Sequence, residues 1–160
     1  MTDFEKLLRT LGDAGVDFIV VGGVAAVAHG SVRLTQDLDV VYSRTPENLR
    51  RLVVALAPCA PYLRGAPPGL PFRWDEATLL RGLNFTLKTS LGDLDLLGEL
   101  TGGGDYENLR SHTIGLELFG VPCRCLDLMW LIRVKRAAGR PRDLEAIAEL
   151  EALRELRSGE

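Results

Sequence analysis

The run Asp37-Leu38-Asp39-Val40-Val41-Tyr42 constrains this chain more than any other stretch, because it sets two acids into an apolar, β-branched segment. Side chains of a strand alternate between its faces, so Asp37 and Asp39 share one side while Leu38 and Val40 turn to the other. The pattern predicts a strand with one buried face and one acidic face. Upstream, Val16-Asp17-Phe18-Ile19-Val20-Val21 reads as a second short strand that stops at Gly22-Gly23. Val24 to His29 has helical character up to Gly30, and Ser31 to Gln36 form the loop leading into the acidic strand. Strand, glycine corner, helix, loop and strand thus make one unit.

Two carboxylates held on one face repel each other, and a divalent cation turns that repulsion into a binding site. Magnesium in particular takes one or two carboxylates together with substrate phosphates. An isolated Asp-x-Asp is more simply a solvated strand face. Here it follows a glycine corner, where the lack of side chains lets backbone N–H groups at the start of the helix approach a phosphate. Further on, Leu91-Gly92-Asp93-Leu94-Asp95-Leu96-Leu97 repeats the acidic alternation. Asp95 lies deeper in the apolar run than Asp93, which adjoins the Gly92 turn, so Asp95 is the first candidate for a third carboxylate and Asp93 the second. In two-metal phosphoryl chemistry such an extra acid can also take the proton of the attacking hydroxyl.

The rest of the chain reads as support. Asp3 to Gly15 predicts a helix with Leu7, Leu8 and Leu11 on one face, and Thr45-Pro46-Glu47 opens another that runs to about Ala57. Five of the eight prolines fall between Pro58 and Pro71, which makes residues 58–71 a loop. Leu83 to Thr89 with Asp93 to Leu97, and Ile114 to Leu118 with Val121 to Cys125, read as two hairpins; residues 127–157 read as a pair of helices split by Gly139-Arg140-Pro141-Arg142. A length of 160 residues, with 46% hydrophobic and 26% charged, suits one domain spanning 1–160. No uncharged apolar run is long enough for a membrane span, and the start Met1-Thr2-Asp3-Phe4-Glu5 is unlike a secretory leader, so a cytoplasmic protein is expected. Cys59 is far from Cys123 and Cys125, and His29 and His112 are the chain's two histidines, which argues against both a disulfide framework and a structural zinc site. A net charge of −3 gives no global pull toward nucleic acid, so such a partner would need a local basic patch.

At this point the residues resemble a family. The apolar strand, Gly22-Gly23, the helix, Asp37-Leu38-Asp39-Val40 and a later strand with Asp95 look like the polymerase-beta nucleotidyltransferase superfamily. The segment Ser31-x-Arg33-x-Thr35-x-Asp37-x-Asp39 is similar to its small prokaryotic branch, which includes minimal nucleotidyltransferases and abortive-infection toxins. So are Lys135 and Arg140-Pro141-Arg142-Asp143. The turn of such proteins is often Gly-Ser, and Gly-Gly here lacks the serine hydroxyl that can hold a phosphate.

The resemblance implies an α+β nucleotidyltransferase fold, with a mixed, mainly antiparallel sheet, helices packed on one face and a C-terminal helical pair. It implies a metal-dependent enzyme that moves a nucleoside monophosphate from an NTP to an acceptor hydroxyl on an RNA end or a protein side chain. Asp37, Asp39 and Asp95 would be catalytic and would hold Mg2+, with Mn2+ able to serve. Gly22, Gly23, Arg33, Thr35, Lys135 and Arg142 would bind the nucleotide. A toxin–antitoxin or defence setting, with an antitoxin or operon partner, belongs to the same implication. The alternative is an inactive nucleotide- or partner-binding module of the same fold. A dinucleotide-binding fold is a poor match, since Val24-Ala25-Ala26 follows Gly22-Gly23 where Gly-x-Gly-x-x-Gly is required. His29 and His112 read as structural, Trp74, Trp130, Tyr62 and Phe72 as core or loop anchors, and Arg64 and Arg73 as cations in a loop that could meet acceptor phosphates.

Overall fold

The computed structural model describes residues 1–159. Helix α1 (Phe4–Asp13) is capped by Asp3, whose side chain accepts from the Lys6 amide, and it buries Leu7, Leu8 and Leu11. Strand β1 (Phe18–Val21) has all four residues buried and runs directly into helix α2 (Gly22–Ala28). Gly22 and Gly23 therefore open the helix instead of forming a separate turn before it. The acidic strand is β2 (Asp37–Tyr42). Helix α3 (Pro46–Leu56) starts on a Thr45 cap with proline in its first turn, the arrangement that leaves no helical N–H wasted.

Residues 58–71 carry more structure than their prolines suggest. They include a short strand, β3 (Tyr62–Leu63), which adds to the sheet edge by pairing with β4 (Phe85–Thr89). An edge strand needs ladder bonds on one side only, so prolines and glycines around it are tolerated. Helix α4 (Glu76–Arg81) follows on an Asp75 cap. Strand β5 (Gly92–Leu97) closes a hairpin with β4, and a small ribbon of β6 (Glu99–Leu100) and β7 (Gly104–Asp105) leads to the short helix α5 (Tyr106–Leu109). The second hairpin is β8 (Thr113–Leu118) and β9 (Val121–Leu126), turning at Phe119 and Gly120, both with positive φ (50° and 78°) as a two-residue turn requires. Helices α6 (Leu128–Ala138) and α7 (Asp143–Ser158) end the chain and pack on each other.

The main sheet has the order β3-β4-β5-β2-β1-β9-β8. Its β1–β9 and β2–β5 pairs are parallel and the other four are antiparallel, a mixed and mainly antiparallel sheet. Leu38, Val40, Leu87, Leu94 and Leu96 join the leucines of α1 and Leu49, Leu52 and Leu56 of α3 in one buried cluster. Each such leucine removed from water contributes about 1.5–3 kcal/mol, and the demand to bury them fixes which face the aspartates take. A smaller cluster of Leu128, Ile132 and Leu150 joins α6 to α7. Asn48, buried on α3, ties strand ends together: it accepts from the Asp17 amide at 2.7 Å and donates to the Asp17 and Ser43 carbonyls at 3.1 and 2.7 Å. Among the described residues, no helix is long and apolar enough to cross a membrane.

Candidate active site

The parallel pairing of β2 with β5 sets Asp37 beside Asp93 and Asp39 beside Asp95. Neighbours in register share a face, so the alternation in both strands yields one patch of acids. Asp37, Asp39 and Asp95 each offer an oxygen within 4.8 Å of the others. Three carboxylates from two strands form a set of hard oxygen donors, which suits a hard divalent cation better than a softer metal. Electrostatics agree. Burial, a hydrogen bond to Asp95 and the charges of Asp95 and Asp37 push the Asp39 carboxyl up to about 7, with Lys135 opposing them. An acid pressed toward its neutral form by like charges is one whose ionised form a divalent cation would stabilise.

The glycine corner fits tightly around these acids. Gly22 has φ +66°, and a β-carbon there would lie 2.0 Å from Asp39 Oδ2. Glycine is required on both counts. At Gly23 a β-carbon would lie 2.5 Å from Thr35 Oγ1. The space a serine side chain would claim is thus filled by Thr35, which brings a hydroxyl of its own to the same corner.

The basic residues come from the C-terminal helices and the loop before β2. Asp143 is buried at the start of α7 and binds Arg140 Nε at 2.9 Å and Lys135 Nζ at 3.5 Å. Burial alone would raise its carboxyl, but the Arg140 hydrogen bond and the charges of Lys135 and Arg140 outweigh that and hold it below the usual carboxylate range. Its work is therefore more than capping a helix: it organises two cations. Two cavities, of about 430 and 420 Å³, meet at Gly23, Asp39, Lys135 and Arg140. The first is walled by Val21, Leu97, Leu131 and Val134, with Asn84 and Thr101; the second by Arg33, Thr35, Asp37, Asp95 and Arg142. Arg33 reaches the second cavity already engaged, 3.6 Å from Glu149 and 3.4 Å from Glu145 of α7.

Two residues outside the expected site set belong here. Arg140 lines both cavities, and its signal was its place in the Arg140-Pro141-Arg142-Asp143 run. Arg64, just after β3, lies 2.6 Å from Asp95 Oδ1 and 3.7 Å from Asp37 Oδ2. Nothing local in the sequence distinguishes it from Arg73; the edge pairing of β3 with β4 brings it in. The histidines take structural places. His29 is buried, with Nε2 2.9 Å from the Leu126 carbonyl and Nδ1 2.9 Å from Arg157 Nη1. His112 stacks on Trp130 at 3.9 Å, and Trp74 donates to the Val53 carbonyl.

No family model matches the chain, and neither does any curated protein. Solved structures do. A protein of Thermotoga maritima assigned to the nucleotidyltransferases aligns over 100% of this chain and 97% of its own, with a TM-score of 0.54 at 15% identity. An antigenic nucleotidyltransferase-like protein of Paracoccidioides brasiliensis aligns over 96% and 78%, with a TM-score of 0.54 at 16% identity. The antibiotic-resistance factor ANT(2'')-Ia, in complex with adenylyl-2''-tobramycin, aligns over 97% and 95%, with a TM-score of 0.53 at 16% identity. The fold is that of the nucleotidyltransferases.

Proposed function

We propose that this chain transfers a nucleoside monophosphate from an NTP to an acceptor hydroxyl, with Mg2+ or Mn2+ held by Asp37, Asp39 and Asp95. The observation that carries this reading is that those three carboxylates line one cavity together with Lys135 and Arg140, and that Asp39, Lys135 and Arg140 also border the neighbouring cavity. Acids that can hold a divalent cation beside cations that can hold phosphate form the charge pattern of a metal–triphosphate site.

In this reading the triphosphate lies along the cavity walled by Arg33, Thr35 and Arg142, with Lys135 and Arg140 at its head. Gly23 borders this cavity, and Thr35 packs against it and offers the phosphates a hydroxyl. The apolar cavity between Leu97, Leu131 and Val134 takes the nucleoside. The acceptor oxygen bonds to the α-phosphorus while the bond to the β-phosphate oxygen breaks, and pyrophosphate leaves. Asp95 receives the acceptor proton. Lys135 and Arg140 offset the charge that grows on the leaving group. When bound, the divalent cation supplies Lewis-acid stabilisation of the reacting phosphate.

The acceptor side is the β3–β4 edge. There Arg64 adjoins Asp95, and Lys88 lies opposite Asp93 in register. Arg64 is engaged by Asp95, Asp37 and Asp93, whereas Lys88 is exposed on that edge and is placed to meet the phosphate of an RNA acceptor. A toxin or defence enzyme restrained by an operon partner is the setting such an activity suggests. The test is incubation with each α-labelled NTP and Mg2+ in the presence of bulk RNA or bulk protein, comparing wild type with Asp39→Asn. Label should pass to RNA from wild type alone. Transfer by neither protein would leave a nucleotide- or partner-binding module as the better reading.

A further inference from the structure

Arg64 is built into the acidic patch from the sheet edge. Its amide donates to the Thr86 carbonyl at 3.0 Å and its Nη1 to the Leu87 carbonyl at 3.2 Å, so the backbone of β4 anchors both ends of the side chain. The guanidinium then spans the acids: Nη2 lies 2.6 Å from Asp95 and 3.7 Å from Asp37, and Nη1 lies 3.9 Å from Asp93. Its side chain is 24% exposed. Burial works against its charge, but Asp95, Asp37 and Asp93 outweigh that and hold it firmly protonated. A permanent cation thus leans on two of the three carboxylates that could ligate a metal. The guanidinium and a divalent ion compete for the same oxygens, and once both are close they repel each other.

Resting on the metal site proposed above, we infer that Arg64 is a positioning residue that holds Asp95 and Asp37 in place and weakens metal binding until a triphosphate arrives. The polyanion reverses the balance. Its negative charge compensates the added divalent cation, and Arg64 gives up part of Asp95 without leaving a net excess of positive charge. Metal and nucleotide then load together, and the bare protein is kept from holding metal on its own. The closeness of Arg64 to Asp95, with the anchoring to β4, is what separates this role from that of an ordinary surface ion pair.

The experiment measures Mn2+ binding to the intact protein by electron paramagnetic resonance of the free ion, with and without a non-hydrolysable NTP. Wild type is compared with Arg64→Gln, Arg64→Met, Arg64→Lys and Asp39→Asn. Removing the charge should tighten Mn2+ binding without nucleotide by about fivefold, the upper end expected for a partly exposed ion pair. Arg64→Lys should stay near wild type, and the gap should close when the triphosphate is present. Two neutral variants guard against one that does not fold, and Arg64→Met keeps the packing of the stem. Equal or weaker Mn2+ binding by the neutral variants, with wild type still binding metal alongside nucleotide, overturns the inference and spares the metal site. If wild type and every Arg64 variant fail to bind Mn2+ even with nucleotide, the metal site and this inference fall together.

Discussion

Gly22 and Asp39 meet so closely that no side chain fits between them: a β-carbon on Gly22 would stand 2.0 Å from Asp39 Oδ2, and the backbone there has φ +66°. The left-handed conformation alone disfavours any other residue by about 1 kcal/mol, and the overlap adds the displacement of a half-buried carboxylate. Gly22→Ala should therefore lower stability by about 2 kcal/mol, within the range expected for strain and overpacking. It should also abolish nucleotidyl transfer, because Asp39 is the residue pushed aside. Urea denaturation followed by the label-transfer assay checks both effects.

The neighbouring position makes a sharper test. Thr35 Oγ1 fills the space beside Gly23, so Gly23→Ser should cost about 1–3 kcal/mol by overpacking. Thr35→Gly removes both obstructing atoms, the hydroxyl at 2.5 Å and the β-carbon at 2.8 Å. In the double variant the serine should regain most of that loss, a coupling of about 1 kcal/mol or more for residues in contact. Additive losses would mean that Thr35 is not what restricts residue 23.

Much of this site could be read from the chain, and what could not has one physical cause. Strand alternation is local, so the facing of Asp37 and Asp39 was legible, as were the Thr45 cap and both hairpins. Asp95 could be named because its strand repeats the same alternation. The parallel register that sets Asp39 beside Asp95 was not legible, since it comes from burying Leu38, Val40, Leu94 and Leu96 together. Helix α4 was missed because its six residues bury Leu79 alone and show no period, and β3 because two residues between prolines carry no strand signal. Arg64 shared that fate. Its role depends on a pairing of Tyr62 with Lys88 and of Leu63 with Leu87 that no local pattern announces. Asp143 was legible only as the end of the Arg140-Pro141-Arg142-Asp143 run, whereas its burial makes it the anchor of Lys135 and Arg140.

The end of α2 should respond to acid. His29 accepts from Arg157 through Nδ1, and its Nε2 serves the Leu126 carbonyl, an arrangement that only the neutral ring satisfies. Burial, aided by Arg157, lowers its pKa below the ordinary 6.5 against the pull of Leu126 and Asp127. For a depressed histidine the stabilisation is present above the unfolded value and is lost as pH falls through the folded one. Protonation should therefore loosen α7 as the medium drops below about pH 6.5. Hydrogen-exchange protection factors at residues 153–158, taken relative to the intrinsic rate at each pH, should fall there in wild type, while His29→Gln should show low protection at every pH.

Asp39 should give the opposite slope. Its folded pKa of about 7 lies above the ordinary 3.8, so the native state holds a proton that the unfolded chain has released. The contribution is full below 3.8 and disappears as pH rises through 7. Without metal, stability should decline across that window by a few kcal/mol, because each tenfold difference in proton affinity between the folded and unfolded chains is worth about 1.4 kcal/mol. Other titrations add to this. Asp39→Asn carries no titrating charge and should remove this part of the decline, leaving a metal-free protein more stable than wild type at about pH 8, beyond the window in which Asp39 ionises. Mg2+ with a non-hydrolysable triphosphate should restore wild type and leave the variant nearly unchanged, because the ligand that offsets the crowded charge is the one the variant lacks a carboxylate to hold. Thermal melts of both proteins at several pH values, with and without those ligands, give the comparison. A wild-type curve parallel to that of Asp39→Asn would mean that Asp39 is not under electrostatic pressure in the folded protein.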